Sequence, residues 1–229
     1  MSLDSTRIRA LCFDIDGTLS DTDDQFVRKL ARRLSLVKFL FPHGDPRPFA
    51  RRLVMATETP GNRFLALTDR LGIDSTLARL GDFIYRLGLG GDPEPFLLIP
   101  GVRKMLGLLR PRYPLSIVTA RGERTTQRFL DQFELSSGFM CVASSQTCRH
   151  TKPYPDPILW SAAQMGVSPE QCLMIGDTTI DVRAGKAAGA QTVGVLCGFG
   201  EEGELRAAGA DVILHSTAAL AEALMHNGS

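Results

Sequence analysis

The chain has 229 residues, a hydrophobic content of 44% and a formal net charge of +1 at pH 7. That length exceeds one typical domain and falls short of two full ones, which suits a core carrying an inserted lid. The near-neutral balance gives no general pull toward nucleic acid or a membrane surface, and no apolar stretch approaches the ~20 residues that span a bilayer. Residues 1–10 carry charges and no apolar run of the signal-peptide kind. The five cysteines, Cys12, Cys141, Cys148, Cys172 and Cys197, form no Cys-x-x-Cys pair. A reducing, cytoplasmic setting is therefore expected; Cys148, in the polar loop from Ser144 to Thr151, is the one thiol worth testing for reactivity, with an inert thiol the preferred reading.

In chain order, Ile8 to Phe13 reads as a strand that stops at Asp14. From Ser20 to about Pro95 strand-like runs vanish. Phe26, Leu30, Leu34 and Val37 recur at helical spacing, and further periodic stretches run from Phe64 to Leu71 and from Leu77 to Leu87. Turn signals at Pro42 to Pro46, at Pro60-Gly61-Asn62 and from Gly88 to Pro95 separate them. This segment reads as an inserted helical bundle over 21–95, with hinges at Ser20–Asp24 and Gly88–Pro95. Residues 25–52 hold eight Lys or Arg against Asp45 alone, best read as the solvated face opposite the apolar stripe.

After residue 95 helix and strand alternate. Val102–Leu109 reads as helix, Leu115–Val118 as strand, Thr125–Phe133 as helix, Phe139–Ala143 as strand and Pro157–Met165 as helix. Cys172–Ile175, Gln191–Leu196 and Val212–Leu214 follow as strands, alternating with helices over Val182–Ala188, Glu202–Ala208 and Ala218–Met225. Such alternation implies right-handed crossovers and a parallel sheet covered on both faces. The expected fold is α/β, a Rossmann-like doubly wound parallel core over 1–20 and 96–229 with an α-helical cap over 21–95.

Three polar groups fall where strands stop: Asp14 opening Asp14-Ile15-Asp16-Gly17-Thr18-Leu19, then Thr119, then Gly176-Asp177-Thr178-Thr179-Ile180-Asp181. A loop contributes Lys152-Pro153. Carboxyl ends of parallel strands are where ligands bind in such sheets. Asp14, Asp16, Asp177 and Asp181 gathered there would repel one another. A hard divalent cation relieves the repulsion, and an all-oxygen donor set with few protein ligands favours Mg²⁺. Lys152 and Thr119 are then left to hold anionic oxygens, the arrangement phosphoryl transfer requires.

These four motifs, in this order and over nearly the whole chain from Ile8 to Leu224, resemble the haloacid dehalogenase superfamily, and within it the helical-cap phosphohydrolases of the phosphoglycolate phosphatase type. The resemblance implies that Asp14 is the nucleophile, that Asp16 is the acid and base, and that Thr119 and Lys152 bind phosphoryl oxygens. It implies Mg²⁺ held by Asp14, the backbone carbonyl of Asp16 and Asp177, with Asp181 supporting the metal or its waters. Dehalogenases of the superfamily carry a residue other than Asp at the position of Asp16, which argues against carbon–halogen chemistry. Gly17, Thr18, Ala120 and Arg121 are substrate-side candidates, though Arg121 departs from the small or amide residues often found there and could instead pair with an acidic side chain. Arg63, in the turn Thr59-Pro60-Gly61-Asn62-Arg63, is the candidate substrate reader of the cap. The implied activity is Mg²⁺-dependent hydrolysis of a small phosphate monoester through an aspartyl-phosphate, by a monomer or homodimer. A phosphosugar mutase of the same fold is an alternative, and so is a non-catalytic phosphate-binding regulatory protein.

Overall fold

The computed structural model describes residues 3–21 and 95–226. The expectations that fall on 22–94, namely the cap helices, the basic stretch and Arg63, lie outside the described residues. The sheet has six strands: β1 (Ala10–Phe13), β2 (Leu115–Val118), β3 (Cys141–Ala143), β4 (Cys172–Gly176), β5 (Gln191–Val195) and β6 (Val212–Leu214). They run in the order β3-β2-β1-β4-β5-β6, and every pairing is parallel. Strand order reverses between β1 and β4, so the ligand crevice of a doubly wound sheet lies at the carboxyl ends of those two strands.

β1 reads as a continuous apolar run because both of its faces are covered. Alternate residues serve opposite faces. Leu11 and Phe13 join a large-residue core with Leu115, Ile117, Leu173 and Ile175. Ala10 and Cys12 join a second, small-residue core with Met174 and Cys172. The first core is closed by α1 (Val102–Leu109), α2 (Glu123–Gln132) and α6 (Leu220–His226), through Met105, Phe129 and Leu224 among others. The second is closed by α3 (Asp156–Met165) and α4 (Thr179–Ala187), through Ile158, Ala162 and Ala184. α5 (Glu202–Ala207) buries Leu205. Each fully buried Leu or Phe contributes about 1.5–3 kcal/mol of transfer free energy.

Most boundaries differ from the periodic reading by a residue or two, and the larger differences have causes. α4 begins at Thr179 rather than Val182, because Thr178 and Asp181 form a capping box that starts the helix ahead of its first apolar residue. The last expected helix divides into a 3₁₀ turn over Thr217–Ala219 and α6. All five cysteines are free. Burial, and then Asp156, push the Cys148 thiol up from its ordinary value, so it is not an activated thiolate.

The segments on either side of 22–94 pair with each other. The Asp21 N–H donates to the Leu97 carbonyl at 2.8 Å, and Ile99 N–H donates to Leu19 at 3.0 Å. The chain therefore departs and returns at one place, directly after the β1 motif.

Candidate active site

β1 delivers Asp14 to the crevice. Its backbone N–H still pairs with Ile175 of β4 at 2.9 Å, so the last ladder bond aims the carboxylate. The side chain is 9% exposed and lies 2.8 Å from Lys152 Nζ. The Asp14 carboxyl is raised to about 7: burial is the largest cause, Lys152 opposes it, and Asp181 and Asp16 add to it. Lys152 is itself buried and donates to Asp181 Oδ1 at 2.6 Å. Burial alone would lower its ammonium, but Asp14 and then Asp181 outweigh it and hold the lysine above its ordinary value.

Asp181 is pinned from three directions. Besides Lys152, it accepts the Thr178 N–H at 3.0 Å and the Thr178 hydroxyl at 2.8 Å, both on Oδ2. One residue thus starts α4 and orients the lysine. Asp177 is held by the Phe199 N–H at 2.8 Å on Oδ2 and by the Thr18 hydroxyl at 3.3 Å on Oδ1. Backbone closes over it so tightly that a Cβ on Gly17 or Gly198 would sit 2.2 Å from its Oδ2. Gly17 also has a φ of 68°, a conformation that glycine adopts without strain.

Asp14, Asp177 and Asp181 each offer an oxygen to one small volume, with those atoms all within 4.8 Å of one another. The donors are oxygen alone, with no sulfur or imidazole. One lysine against three buried carboxylates leaves the pocket net negative. This donor set fits a hard divalent cation of the Mg²⁺ type.

Thr119, at the end of β2, is buried; its backbone N–H pairs with Ala143 at 2.9 Å. Its hydroxyl oxygen accepts the Arg121 N–H at 3.2 Å, leaving its own proton to donate. Asp16 stands apart from the buried trio. Its carboxylate forms a forked pair with Arg121, Nε to Oδ2 at 2.6 Å and Nη2 to Oδ1 at 2.5 Å. Of the two expectations for Arg121, pairing with an acidic side chain is the contact seen here. Thr18, expected on the substrate side, is fully buried with its hydroxyl on Asp177, so it supports that carboxylate. Ala120, between Thr119 and Arg121, is exposed at the same loop.

Sequence reasoning missed Phe199 and Phe96, and gave Thr178, within the fourth motif, no role of its own. Phe199 acts through a backbone N–H, which leaves no side-chain signature; the only cue was glycine on either side of it after an apolar run. Phe96 stacks on Arg121, its ring centroid 4.8 Å from the guanidinium carbon.

Residues 92–195 match the family model for haloacid dehalogenase-like hydrolases. A phosphoglycolate phosphatase of Pseudomonas putida is 31% identical over 198 residues, covering 83% of this chain and 70% of its own. The chain belongs to the haloacid dehalogenase-like hydrolases. A second family member, a phosphoglycolate phosphatase of Chromobacterium violaceum, is 28% identical over 96% of this chain and 98% of its own. The crystal structure of a predicted phosphoglycolate phosphatase from Haemophilus somnus superposes with a TM-score of 0.63 at 22% identity, covering 94% of this chain and 97% of its own, and shares the fold. Among the described residues, no helix is long and apolar enough to cross a membrane.

Proposed function

We propose that this hydrolase cleaves small phosphate monoesters in a Mg²⁺-dependent reaction through a phosphorylated Asp14. The observation that carries the reading is the buried contact of Asp14 with Lys152 beside Asp177 and Asp181, at the switch point of the sheet. A carboxylate so placed has a cation next to it and a floor of further carboxylates. That environment suits attack on phosphorus only when a metal and a phosphoryl group share the charge.

Asp14, Asp177 and the Asp16 carbonyl would hold the metal, with Asp181 supporting it through its own contacts. When bound, Mg²⁺ supplies Lewis-acid neutralisation of the phosphoryl oxygens. Lys152 and the Thr119 hydroxyl would bind those oxygens and hold phosphorus in line with Asp14. An Asp14 oxygen forms the new bond to phosphorus as the ester P–O bond breaks, and Asp16 donates a proton to the departing oxygen. Asp16 then takes a proton from the water that hydrolyses the acyl phosphate. The residues between Asp21 and Pro95, which leave and return beside this site, would form the cap that reads the leaving alcohol.

The relatives carry phosphoglycolate in their names, so phosphoglycolate is the first substrate to assay within a panel of metabolite phosphates. The expected result is phosphate release that needs Mg²⁺, is lost in EDTA and is inhibited by excess Ca²⁺. Calcium accepts more ligands in looser geometry, so it can engage both Asp14 oxygens and hold the nucleophile out of line. Full activity in EDTA, or no phosphate release from any monoester, overturns the reading. Isomerisation of a phosphosugar without phosphate release would identify a mutase instead. The protein is expected to be cytoplasmic and to need neither nucleic acid nor membrane.

A further inference from the structure

The Arg121 guanidinium is committed on several sides at once. Its Nε and Nη2 fork onto both oxygens of Asp16, and its face lies against two rings, Phe96 at 4.8 Å and Phe129 at 5.8 Å. Phe96 is fixed in turn by Gln132 of α2, whose amide donates to the Phe96 carbonyl and accepts the Phe96 N–H, both at 2.8 Å. Backbone bonds hold the base of the arginine, from Arg121 N–H to Thr119 Oγ1 at 3.2 Å and from Ser145 N–H to the Arg121 carbonyl at 2.9 Å. Gln132, Phe96, Arg121 and Asp16 therefore form one contiguous stack from a core helix to the rim of the site.

This stack is poorly built for stability. Among the described residues, the buried Arg121 Nη1 finds no hydrogen-bond partner, and a buried donor left unsatisfied costs about 1–3 kcal/mol. What the fork supplies is orientation. A free aspartate turns about two side-chain torsions, whereas a planar guanidinium engaging both oxygens fixes both. A carboxylate offers about four lone-pair positions, and the fork takes two of them, one on each oxygen.

We propose that Arg121 is a positioning residue for Asp16, a fork that fixes the Asp16 carboxylate in the one orientation from which it exchanges a proton with the leaving oxygen. The inference rests on the acid–base role of Asp16 in the reading above. The proton on Asp16 passes to the ester oxygen as the P–O bond breaks and Asp14 bonds to phosphorus.

A double-mutant cycle on the full chain with Mg²⁺ tests it, reading kcat/KM for an alkyl phosphate and for 4-nitrophenyl phosphate. This ratio reports events up to departure of the leaving group. An alkoxide needs the proton and a nitrophenolate does not. With Arg121→Met the alkyl-to-aryl ratio of kcat/KM should fall by about tenfold, a fraction of what a whole general acid contributes. Arg121→Lys should show the same fall, because an ammonium is a point charge that cannot form the fork; it also serves as the second variant should the methionine substitution misfold. Adding Arg121→Met to Asp16→Asn should change the ratio no further. Equal losses on both esters, or the same loss in the Asp16→Asn background as in wild type, overturns the positioning role while leaving Asp16 intact as acid and base. Undiminished alkyl kcat/KM in Asp16→Asn itself overturns the acid–base reading, and the positioning role with it.

Discussion

Asp14 and Asp16 are two residues apart in the chain and occupy different electrostatic surroundings. Asp14 lies on the floor of the site, 9% exposed, sharing Lys152 with Asp181. Asp16 lies on the rim, 34% exposed, with a forked arginine to itself. On the floor, two carboxylates share one lysine beside a third, Asp177, and removing the lysine leaves buried negative charge uncompensated. On the rim, the pair is partly wet, and solvent can screen its loss. The contrast matches the division of labour proposed for the two groups. A nucleophile must keep one fixed position through attack and hydrolysis, whereas an acid and base must exchange protons with solvent and substrate.

The most severe way to break the comparison is Asp14→Asn. The amide is nearly isosteric but a far poorer nucleophile toward phosphorus, so kcat should fall by at least about a thousandfold, the scale on which single nucleophile deletions act. The folded state should persist by circular dichroism, because the amide oxygen can still accept from Lys152. Retention of most phosphatase activity would sink the covalent mechanism.

Lys152→Met separates floor from rim by stability. Without the ammonium, Asp14 and Asp181 face each other in a buried site, and the loss should be about 3 kcal/mol by urea unfolding in EDTA at pH 8. Protonation relieves this repulsion, and Asp14 already sits at about 7, so the loss should shrink as the pH is lowered to 6. Arg121→Met on the partly exposed rim should cost about 1 kcal/mol or less. Equal costs at the two positions would mean that the floor is not the interdependent network described here.

The same contrast explains what the sequence made legible. Floor residues announce themselves because each sits where an apolar run ends, and strand ends can be read from periodicity. Asp14, Thr119 and Asp177 were found that way, and Lys152 by its place in the motif order. The order of strands and helices after residue 95 was equally plain, since both faces of the sheet are buried and the runs are continuous. The supports were hidden because they act through geometry rather than residue type. Phe199 contributes an N–H, and Gly198 contributes the absence of a side chain. Arg121 could be noticed as unusual, but its pairing depends on Phe96 and Gln132, which lie 25 and 11 residues away from it in the chain and meet it only once α2 is packed.

A control outside the site gives the smallest expected effect. Lys186 of α4 and Asp211 form an ion pair at 2.5 Å, and Asp211 also accepts the Thr192 N–H at 2.8 Å and the Thr192 hydroxyl at 3.0 Å. Burial works to raise the Asp211 carboxyl, yet the Lys186 and Thr192 hydrogen bonds together outweigh it and hold it below the ordinary carboxylate value. A depressed folded-state pKa contributes stability that is fully present above the unfolded value, near 3.9, and is lost as the pH falls through the folded value. Lys186 is 38% exposed, so water and salt screen the pair, and the contribution at neutral pH should be under about 1 kcal/mol. Asp211→Asn should therefore lower urea stability slightly at pH 7 and flatten its decline between about pH 4 and pH 2. Lys152→Met, by contrast, acts in the neutral range where Asp14 titrates. Identical acid limbs for wild type and Asp211→Asn would show that the pair contributes nothing to folding.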